Sequence, residues 1–317
     1  MKVIFMGTPE FSVGTLEAIY QAGHEVCLVV TQPDKPKGRG HAMQFTPVKE
    51  FAVSKNIEVF QPVKIKESSA IEKLKSYQAD ICVVAAFGQI LPKEILNMCP
   101  YGCINVHASL LPKYRGAAPI QWVIIDGEKE SGVTIMQMNE GLDTGDMISK
   151  VVVPIEKKET GGTYHDKLAE AGAKLCVDTM KEIEAGTAVR TPQTDSDSCY
   201  AKMLRKELGL IDFQKEAAEI EHLIRGLNPW PSAYTSLDGK TLKIWAAEVI
   251  DKEYEGKPGT IVEKTRKSLL VKTAKGTLAI TELQLAGKKR MTTESFLLGY
   301  PVEVGQVLGT DRKKKWI

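Results

Sequence analysis

The sequence lacks several features that would assign it to a class of protein at once. No apolar run in its 317 residues reaches the length of a transmembrane helix. Its six cysteines form no C-x-x-C pair, and several lie inside apolar runs, so we expect reduced thiols and no metal. The opening stretch MKVIFMGTPEF is broken too early to predict a signal peptide. We therefore expect a cytoplasmic protein with no membrane partner and no obligate protein partner.

The first strand-to-helix turn, GTPEFSVG, lacks the fingerprint of a dinucleotide site. Such a site needs G-x-G-x-x-G, whereas here Pro9 offers no N–H and Glu10 would repel a phosphate. The chain also has no G-x-x-x-x-G-K-[ST] motif and no G-x-S-x-G elbow. The sequence therefore argues against NAD, FAD, a P-loop nucleotide and a serine nucleophile.

Strands and helices alternate over residues 1–189, which we predict to be one α/β domain. Near-continuous apolar strands such as KVIFM, ADICVVAAFG and GCINVHAS are separated by helical segments, a pattern typical of a Rossmann-like, mostly parallel sheet. GVTIMQMN and DMISKVVVPI predict an antiparallel extension of this sheet. Thr46 and Pro47 predict the start of one helix, and Gly186 the end of a long one.

The pattern changes at about residue 190. Residues 190–206 are polar and rich in helix breakers, so we predict a linker there. Residues 207–317 contain short strands with glycine turns, which indicates a small β-barrel or sandwich. Residues 240–317 hold 16 Lys and Arg against 9 Asp and Glu, while the rest of the chain holds 26 against 31. This basic region is either a solvated lysine surface or a polyanion-binding surface, and charge alone favours the former.

The candidate chemistry lies in CINVHASLLPKYRGAAP, residues 103–119. Asn105 and His107 are two positions apart near a strand end, so their side chains share one face. Asp143 lies in GLDTGD with glycines on both sides, so its loop could approach His107 and its carboxylate could orient the imidazole. Each residue alone is more simply a cap or a turn residue. Together, an amide, an imidazole and a carboxylate favour acyl-type transfer with oxyanion stabilisation.

These residues also carry a resemblance. INVHASLLPKYRGAAPIQ and GLDTGD, with MGTPEF near the start and GLNPWPSAY at 226–234, resemble the folate-dependent formyltransferases over nearly the whole chain. The resemblance implies a formyltransferase domain followed by an OB-like barrel that binds tRNA. It implies formyl transfer from 10-formyltetrahydrofolate to the α-amino group of initiator methionyl-tRNA. Asn105, His107 and Asp143 match the family's catalytic residues, with Asn105 and protonated His107 on the oxyanion.

The resemblance also implies two binding regions. The folate pocket matches two short segments, composed of Phe87, Gly88, Gln89, Ile90 and Leu91, and of Ser109, Leu110, Leu111 and Pro112. The basic loop DKPKGRGHAM matches the segment that meets the tRNA acceptor end, with Lys35, Lys37 and Arg39 as its cations. We expect the residues YRG at 114–116 to begin the next helix, with the role of Arg115 left open between a tRNA contact and a structural salt bridge.

Two other readings remain open. A formyltransferase acting on an amino-sugar nucleotide would share Asn105, His107 and Asp143, and the basic loop and basic C-terminal region argue against it. A non-catalytic tRNA-binding protein on an enzyme scaffold would not need all three residues intact.

Overall fold

The computed structural model describes residues 1–37 and 42–309, which form two compact units. The first unit contains the described residues of 1–119, 130–154 and 165–201. The second contains residues 120–129, 155–164 and those from 202 onward. The boundaries predicted at 189 and 207 divide the chain contiguously, whereas these units interleave along it.

The strands up to residue 201 lie in the first unit. They are β1 (Lys2–Gly7), β2 (Glu25–Val30), β3 (Lys35–Lys37), β4 (Ala42–Gln44), β5 (Val59–Phe60), β6 (Ile81–Ala85), β7 (Cys103–His107), β8 (Arg115–Gly116), β9 (Glu130–Gln137), β10 (Met147–Pro154) and β11 (Tyr200–Ala201). The helices up to that point are α1 (Glu10–Gln21), α2 (Pro47–Ser54), α3 (Ser68–Ser76), α4 (Lys93–Leu96), α5 (Pro119–Ile125) and α6 (Gly161–Glu184).

The main sheet of the first unit has the strand order β10-β9-β7-β6-β1-β2-β5. Five adjacent strands of this order run parallel, namely β7, β6, β1, β2 and β5. Strands β9 and β10 extend the sheet beside β7 with antiparallel pairing. The apolar residues of the central strands β1 and β6 are buried, as expected when helices cover both faces of a parallel sheet. The predicted Rossmann-like sheet and its antiparallel extension are therefore confirmed.

The predicted helix starting at Thr46 forms as expected. The Thr46 hydroxyl accepts a hydrogen bond from the Lys49 N–H at 3.2 Å, and Pro47 occupies the first helical position. The long helix ends just before Gly186, whose φ of +70° is left-handed. The basic loop, in contrast, is not entirely irregular, because β3 and β4 pair as an antiparallel hairpin around it.

The expectation that residues 114–116 begin a helix is wrong. Arg115 and Gly116 form β8, which pairs in parallel with β11 through bonds such as Arg115 N–H to Cys199 O at 2.9 Å. Tyr114 and Gly116 have φ of +57° and +111°, which an α-helix cannot accommodate. The helix begins later, at Pro119. A partner strand more than 80 residues away along the chain thus decides the local conformation.

The second unit is an antiparallel β structure, as its short strands predicted. Its remaining elements are α7 (Ala217–Gly226), β12 (Ala233–Leu237), β13 (Lys240–Ile250), β14 (Ile261–Lys264), β15 (Leu269–Lys272), β16 (Thr277–Leu285), β17 (Met291–Thr292) and α8 (Thr293–Gly299). The sheet order is β12-β13-β16-β15-β14, with β17 on β16. Its core includes Leu242, Ile244, Leu278, Ile280 and Leu283.

No helix within the described ranges is both long enough and apolar enough to cross a bilayer.

Candidate active site

The candidate site is built on the end of β7. Asn105 and His107 lie on this strand between β6 and β9, opposite Met136 and Thr134 of β9. His107 is buried at 6% exposure, whereas Asn105 is half-buried. The Asn105 side-chain amide makes no hydrogen bond to any residue that the structure describes, although its neighbours on the strand are buried. Asn105 therefore retains a donor that can serve a substrate.

His107 lies between two acceptors. Its Nε2 donates to the Tyr114 carbonyl at 2.9 Å, because a carbonyl oxygen can only accept. Its Nδ1 lies 3.7 Å from Asp143 Oδ2. The Tyr114 contact thus fixes one proton on Nε2, and a second proton on Nδ1 would face the carboxylate. The structure brings His107 and Asp143 together as expected, and it adds Tyr114 as the group that fixes the ring orientation.

Asp143 is held in a left-handed conformation, with φ of +53°. Its Oδ2 accepts a hydrogen bond from the Gly116 N–H at 2.8 Å. Its main-chain oxygen accepts another from Gln193 Nε2 at 2.8 Å. Both donors lie outside the GLDTGD segment, so this loop is positioned by residues that are distant in sequence.

The turn from Ser109 to Pro112 follows the candidate catalytic strand. Thr134 of β9 holds it, because the Thr134 hydroxyl donates to Ser109 O at 2.7 Å and accepts from Leu111 N at 3.1 Å. Lys150 of β10 donates to Leu111 O, and burial lowers the pKa of its ammonium group. Thr134 and Lys150 were not predicted from the sequence, because nothing local links them to the turn.

The two segments predicted to bind folate differ in exposure. In the turn, Ser109 and Leu111 are buried, Leu110 is half-buried, and Pro112 follows a cis peptide bond. In the other segment, Phe87 and Leu91 are buried in the core, whereas Ile90 is 83% exposed.

Polar contacts fix the second segment to its surroundings. The Gln89 side chain accepts from Ile65 N at 2.8 Å and donates to Pro62 O at 3.2 Å. Gly88 has φ of +84°, so a residue with a side chain would be strained there. The Gln89 amide is therefore occupied by the protein's own backbone, which leaves main-chain groups and exposed Ile90 as the accessible parts of this segment.

The hairpin of β3 and β4 is anchored at its base. Asp34 precedes it, and Lys49 of α2 follows it; these two residues form an ion pair, and Gln61 bonds to both. Burial would raise the pKa of the Asp34 carboxyl, but hydrogen bonds from Lys49 and Gln61 outweigh it and lower this pKa. Lys35 is exposed on β3. Lys37 ends β3, and Arg39 lies outside the described residues.

The basic residues of the second unit are not all free. Arg290 forms a bidentate pair with Glu282 and lies 4.7 Å from the centre of the Trp245 ring, and Arg266 pairs with Glu294 at 2.6 Å. Within the described residues, no cluster of three or more His, Cys, Asp or Glu side chains could hold a metal ion.

The comparisons with known proteins agree with one another. The family model described as formyl transferase matches residues 1–180, and the formyl transferase C-terminal domain matches residues 203–301. The chain is 63% identical to a methionyl-tRNA formyltransferase of Agathobacter rectalis over 305 residues, covering 96% of this chain and 98% of the relative. It is 54% identical to the enzyme of that name from Lachnospira eligens over 314 residues, covering 98% of this chain and 100% of the relative.

A solved structure shares the fold at much lower identity. WlaRD, a sugar 3N-formyl transferase crystallised in the presence of dTDP and 5-N-formyl-THF, is 20% identical, with a TM-score of 0.66. The match covers 91% of this chain and 99% of that one. Sequence identity over nearly the full length separates the tRNA-directed relatives from this neighbour, which shares the fold alone. The chain therefore belongs to the formyl transferase family, and within it to the methionyl-tRNA formyltransferases.

Proposed function

We propose that this protein transfers the formyl group of 10-formyltetrahydrofolate to the α-amino group of initiator methionyl-tRNA. The observation that carries this proposal is the group formed by Asn105 and His107 of β7 with Asp143 of the loop between β9 and β10. Asn105 offers an amide that bonds to none of the described residues, and His107 lies beside the Asp143 carboxylate. The relatives that are 54% and 63% identical are named methionyl-tRNA formyltransferases, which supports the acceptor.

The chemistry that these residues support is direct transfer without a covalent enzyme intermediate. The neutral α-amine attacks the formyl carbon, a new C–N bond forms, and the carbonyl oxygen becomes an oxyanion. Collapse of this intermediate breaks the bond between the formyl carbon and N10 of the folate. The amine proton ends on N10, so the products are N-formylmethionyl-tRNA and tetrahydrofolate.

Each of the three residues has a separate task in this reaction. The Asn105 amide donates to the oxyanion directly, because no described residue occupies it. A protonated His107 stabilises the same oxygen mainly by its charge, since its Nε2 proton is bound to Tyr114 O and its Nδ1 faces Asp143. Asp143 orients the imidazole and assists removal of the amine proton through water.

The folate co-substrate is proposed to lie against the turn and the strand end. Ser109 to Pro112 form one wall, and Phe87 to Leu91 form the other. Exposed Ile90 supports an apolar contact with the donor, while buried Phe87 and Leu91 support the shape of the wall. No metal is required in this scheme, because transfer needs only hydrogen bonds and charge.

The tRNA is proposed to meet the basic hairpin. Exposed Lys35 supplies charge on a segment whose base is fixed by the Asp34–Lys49 ion pair. Lys37 and Arg39 are proposed to extend this surface. The C-terminal β unit is proposed to contact the tRNA backbone. Because translation initiation takes place in the cytoplasm, we propose that location for the protein.

The test is an acceptor comparison. The purified protein is incubated with 10-formyltetrahydrofolate and either methionyl-initiator tRNA or dTDP-linked amino sugars. We expect formylation of the tRNA and none of the sugar. Formylation of the sugar alone would overturn the proposal in favour of an amino-sugar nucleotide formyltransferase. Binding of tRNA without any transfer would instead indicate a non-catalytic tRNA-binding protein.

A further inference from the structure

Gln193 lies beside the Asp143 loop, in the segment for which the sequence predicts only a linker. Its Nε2 donates to two main-chain oxygens, Asp143 O at 2.8 Å and Gly145 O at 2.7 Å. The residue is half-buried, whereas most of its neighbours between 190 and 197 are exposed. Gln193 therefore holds the carbonyl groups of the two residues that flank Thr144.

Arg115 fixes the orientation of the Gln193 amide. Arg115 Nε donates to Gln193 Oε1 at 3.0 Å. Because a guanidinium can only donate, the amide oxygen must face Arg115 and the NH₂ group must face the loop. A flipped amide would place its oxygen against two carbonyls and its NH₂ against a cation. The hydrogen-bonding partners thus allow a single arrangement of this side chain.

The same pair of residues is linked to the Asp143 carboxylate. Gly116, which follows Arg115 on β8, donates its N–H to Asp143 Oδ2 at 2.8 Å. Arg115 is only 12% exposed and also donates to the exposed Asp195 carboxylate. Asp143 is therefore held from both ends, its carboxylate by Gly116 and its main chain by Gln193. These contacts assign half-buried Arg115 to a structural salt bridge, which was one of its two open roles.

The loop has few other restraints near Asp143. Asn139 Oδ1 accepts from Gly141 N and from the Thr144 hydroxyl, and the Asp146 carbonyl accepts from Gln137 N. The Asn139 bond therefore restrains the side chain of Thr144, and the Gln137 bond restrains the main chain at Asp146, after Gly145. The main-chain oxygen of Asp143 itself is bound by Gln193. Because a left-handed φ is unfavourable for a residue with a side chain, this bond helps to hold the main chain that carries the Asp143 carboxylate.

We propose that Gln193 is a positioning residue that aims the Asp143 carboxylate at His107, with Arg115 setting the orientation of its amide. This inference rests on the proposed formyl transfer, because it assigns Gln193 a part in that reaction. Asp143 Oδ2 is 3.7 Å from His107 Nδ1, a distance at which a small rotation of the loop would break the pairing. The expected consequence is on the chemical step, not on substrate binding.

The first experiment measures kcat and KM for Gln193→Ala and Gln193→Glu. We expect kcat to fall about 10- to 100-fold in Gln193→Ala, since a displacement near 1 Å at a reacting group costs about this much. Gln193→Glu should be more damaging, because its carboxylate would face two carbonyl oxygens. The KM values for tRNA and folate should be unchanged. The matched control is Gln21→Ala, an exposed glutamine on α1 that bonds Glu17 one turn away.

The second experiment separates positioning from a general loss of structure. Gln193→Ala is combined with Asp143→Asn, and single-turnover rates are measured with enzyme in excess. If Gln193 acts through Asp143, adding Gln193→Ala to Asp143→Asn should cost almost nothing further. The inference would be overturned if the rate losses of the two single variants were fully additive in the double variant. It would also be overturned if the loss of kcat in Gln193→Ala were accompanied by a large fall in Tm. An inactive wild-type protein would instead contradict the proposed function, so the two failures are distinguishable.

Discussion

The two regions proposed to handle substrate use charge in opposite ways. Around β7, His107 is buried and Asp143 is half-buried, and each has specific partners, since Asp143 bonds to Gly116 and faces His107. In the basic hairpin, the ion pair of Asp34 and Lys49 lies at the base, and Lys35 is exposed beyond it. The first arrangement fixes the orientation of each side chain, which suits groups that must be aligned with a reacting atom. The second supplies charge on a supported segment, which suits a large polyanion.

This difference separates the effects that substitutions should have. Changes around β7 should alter the rate of the chemical step, because the groups there are aligned with one another. Changes in the hairpin should alter tRNA binding and its salt dependence. A change around β7 that altered only tRNA binding, or a change in the hairpin that altered only the chemical step, would contradict this difference between the two regions.

The largest effect is expected for His107→Ala. If His107 stabilises the oxyanion as proposed, loss of the imidazole should lower kcat on the order of 100- to 1,000-fold. Asp143→Asn keeps the size of the side chain but not its charge, and its kcat should also fall. Steady-state kinetics measures both variants. Unchanged transfer in His107→Ala would remove the proposed mechanism.

Arg39 of the segment DKPKGRGHAM, which lies outside the described residues, should show the second-largest effect. Arg39→Ala is expected to raise the KM for tRNA by about 10-fold or more and to lower the dependence of log K on log salt by roughly 1, as one lost phosphate contact predicts. Folate binding should be retained. Titration of tRNA and folate at several salt concentrations measures these effects. Equal loss of folate binding would contradict the assigned role, and Gln21→Ala again serves as the control.

A smaller effect is expected for Thr134→Val. The substitution keeps the shape but leaves Ser109 O and Leu111 N without their hydrogen bonds, which should cost about 1–3 kcal/mol in the free energy of unfolding. Because these atoms belong to the turn proposed to contact folate, the KM for folate should rise while the KM for tRNA does not. Urea denaturation and kinetics measure the two effects. Thr134→Ser keeps the hydroxyl and should resemble the wild type.

The smallest effect concerns the base of the hairpin and depends on pH. The pKa of the Asp34 carboxyl is lowered in the folded protein by hydrogen bonds from Lys49 and Gln61. Its stabilisation is therefore present above the unfolded pKa and is lost as the pH falls through the folded pKa. Asp34→Asn should lower the Tm at neutral pH, and the difference from wild type should shrink below about pH 4. A constant difference across this range would contradict the ion pair as its source.

The sequence predicted the elements whose cause is local. Apolar runs identified the parallel strands, and the spacing of two placed Asn105 and His107 on one face. The glycines around Asp143 predicted that its loop could approach His107. These features depend on residues close together along the chain, so a single sequence is enough to read them.

The groups that hold the site could not be predicted in this way. Gln193 is 50 residues from Asp143, and Thr134 is 25 from Ser109. Gln193 lies among polar residues that are typical of a linker, and nothing nearby distinguishes it. The sequence predicts a helix start at residues 114–116, and this is wrong because their pairing with β11 depends on residues that are also remote along the chain. Positions that depend on distant pairing are thus the ones that require the structure.

The most direct test of the account is the single-turnover rate of Asn105→Ala at saturating 10-formyltetrahydrofolate and methionyl-initiator tRNA. Asn105 is the one candidate donor whose amide is free of the described residues, so its loss should act on the oxyanion alone. The account predicts a fall in rate on the order of 100- to 1,000-fold with both substrates still bound. A rate equal to that of the wild type under saturation would contradict it.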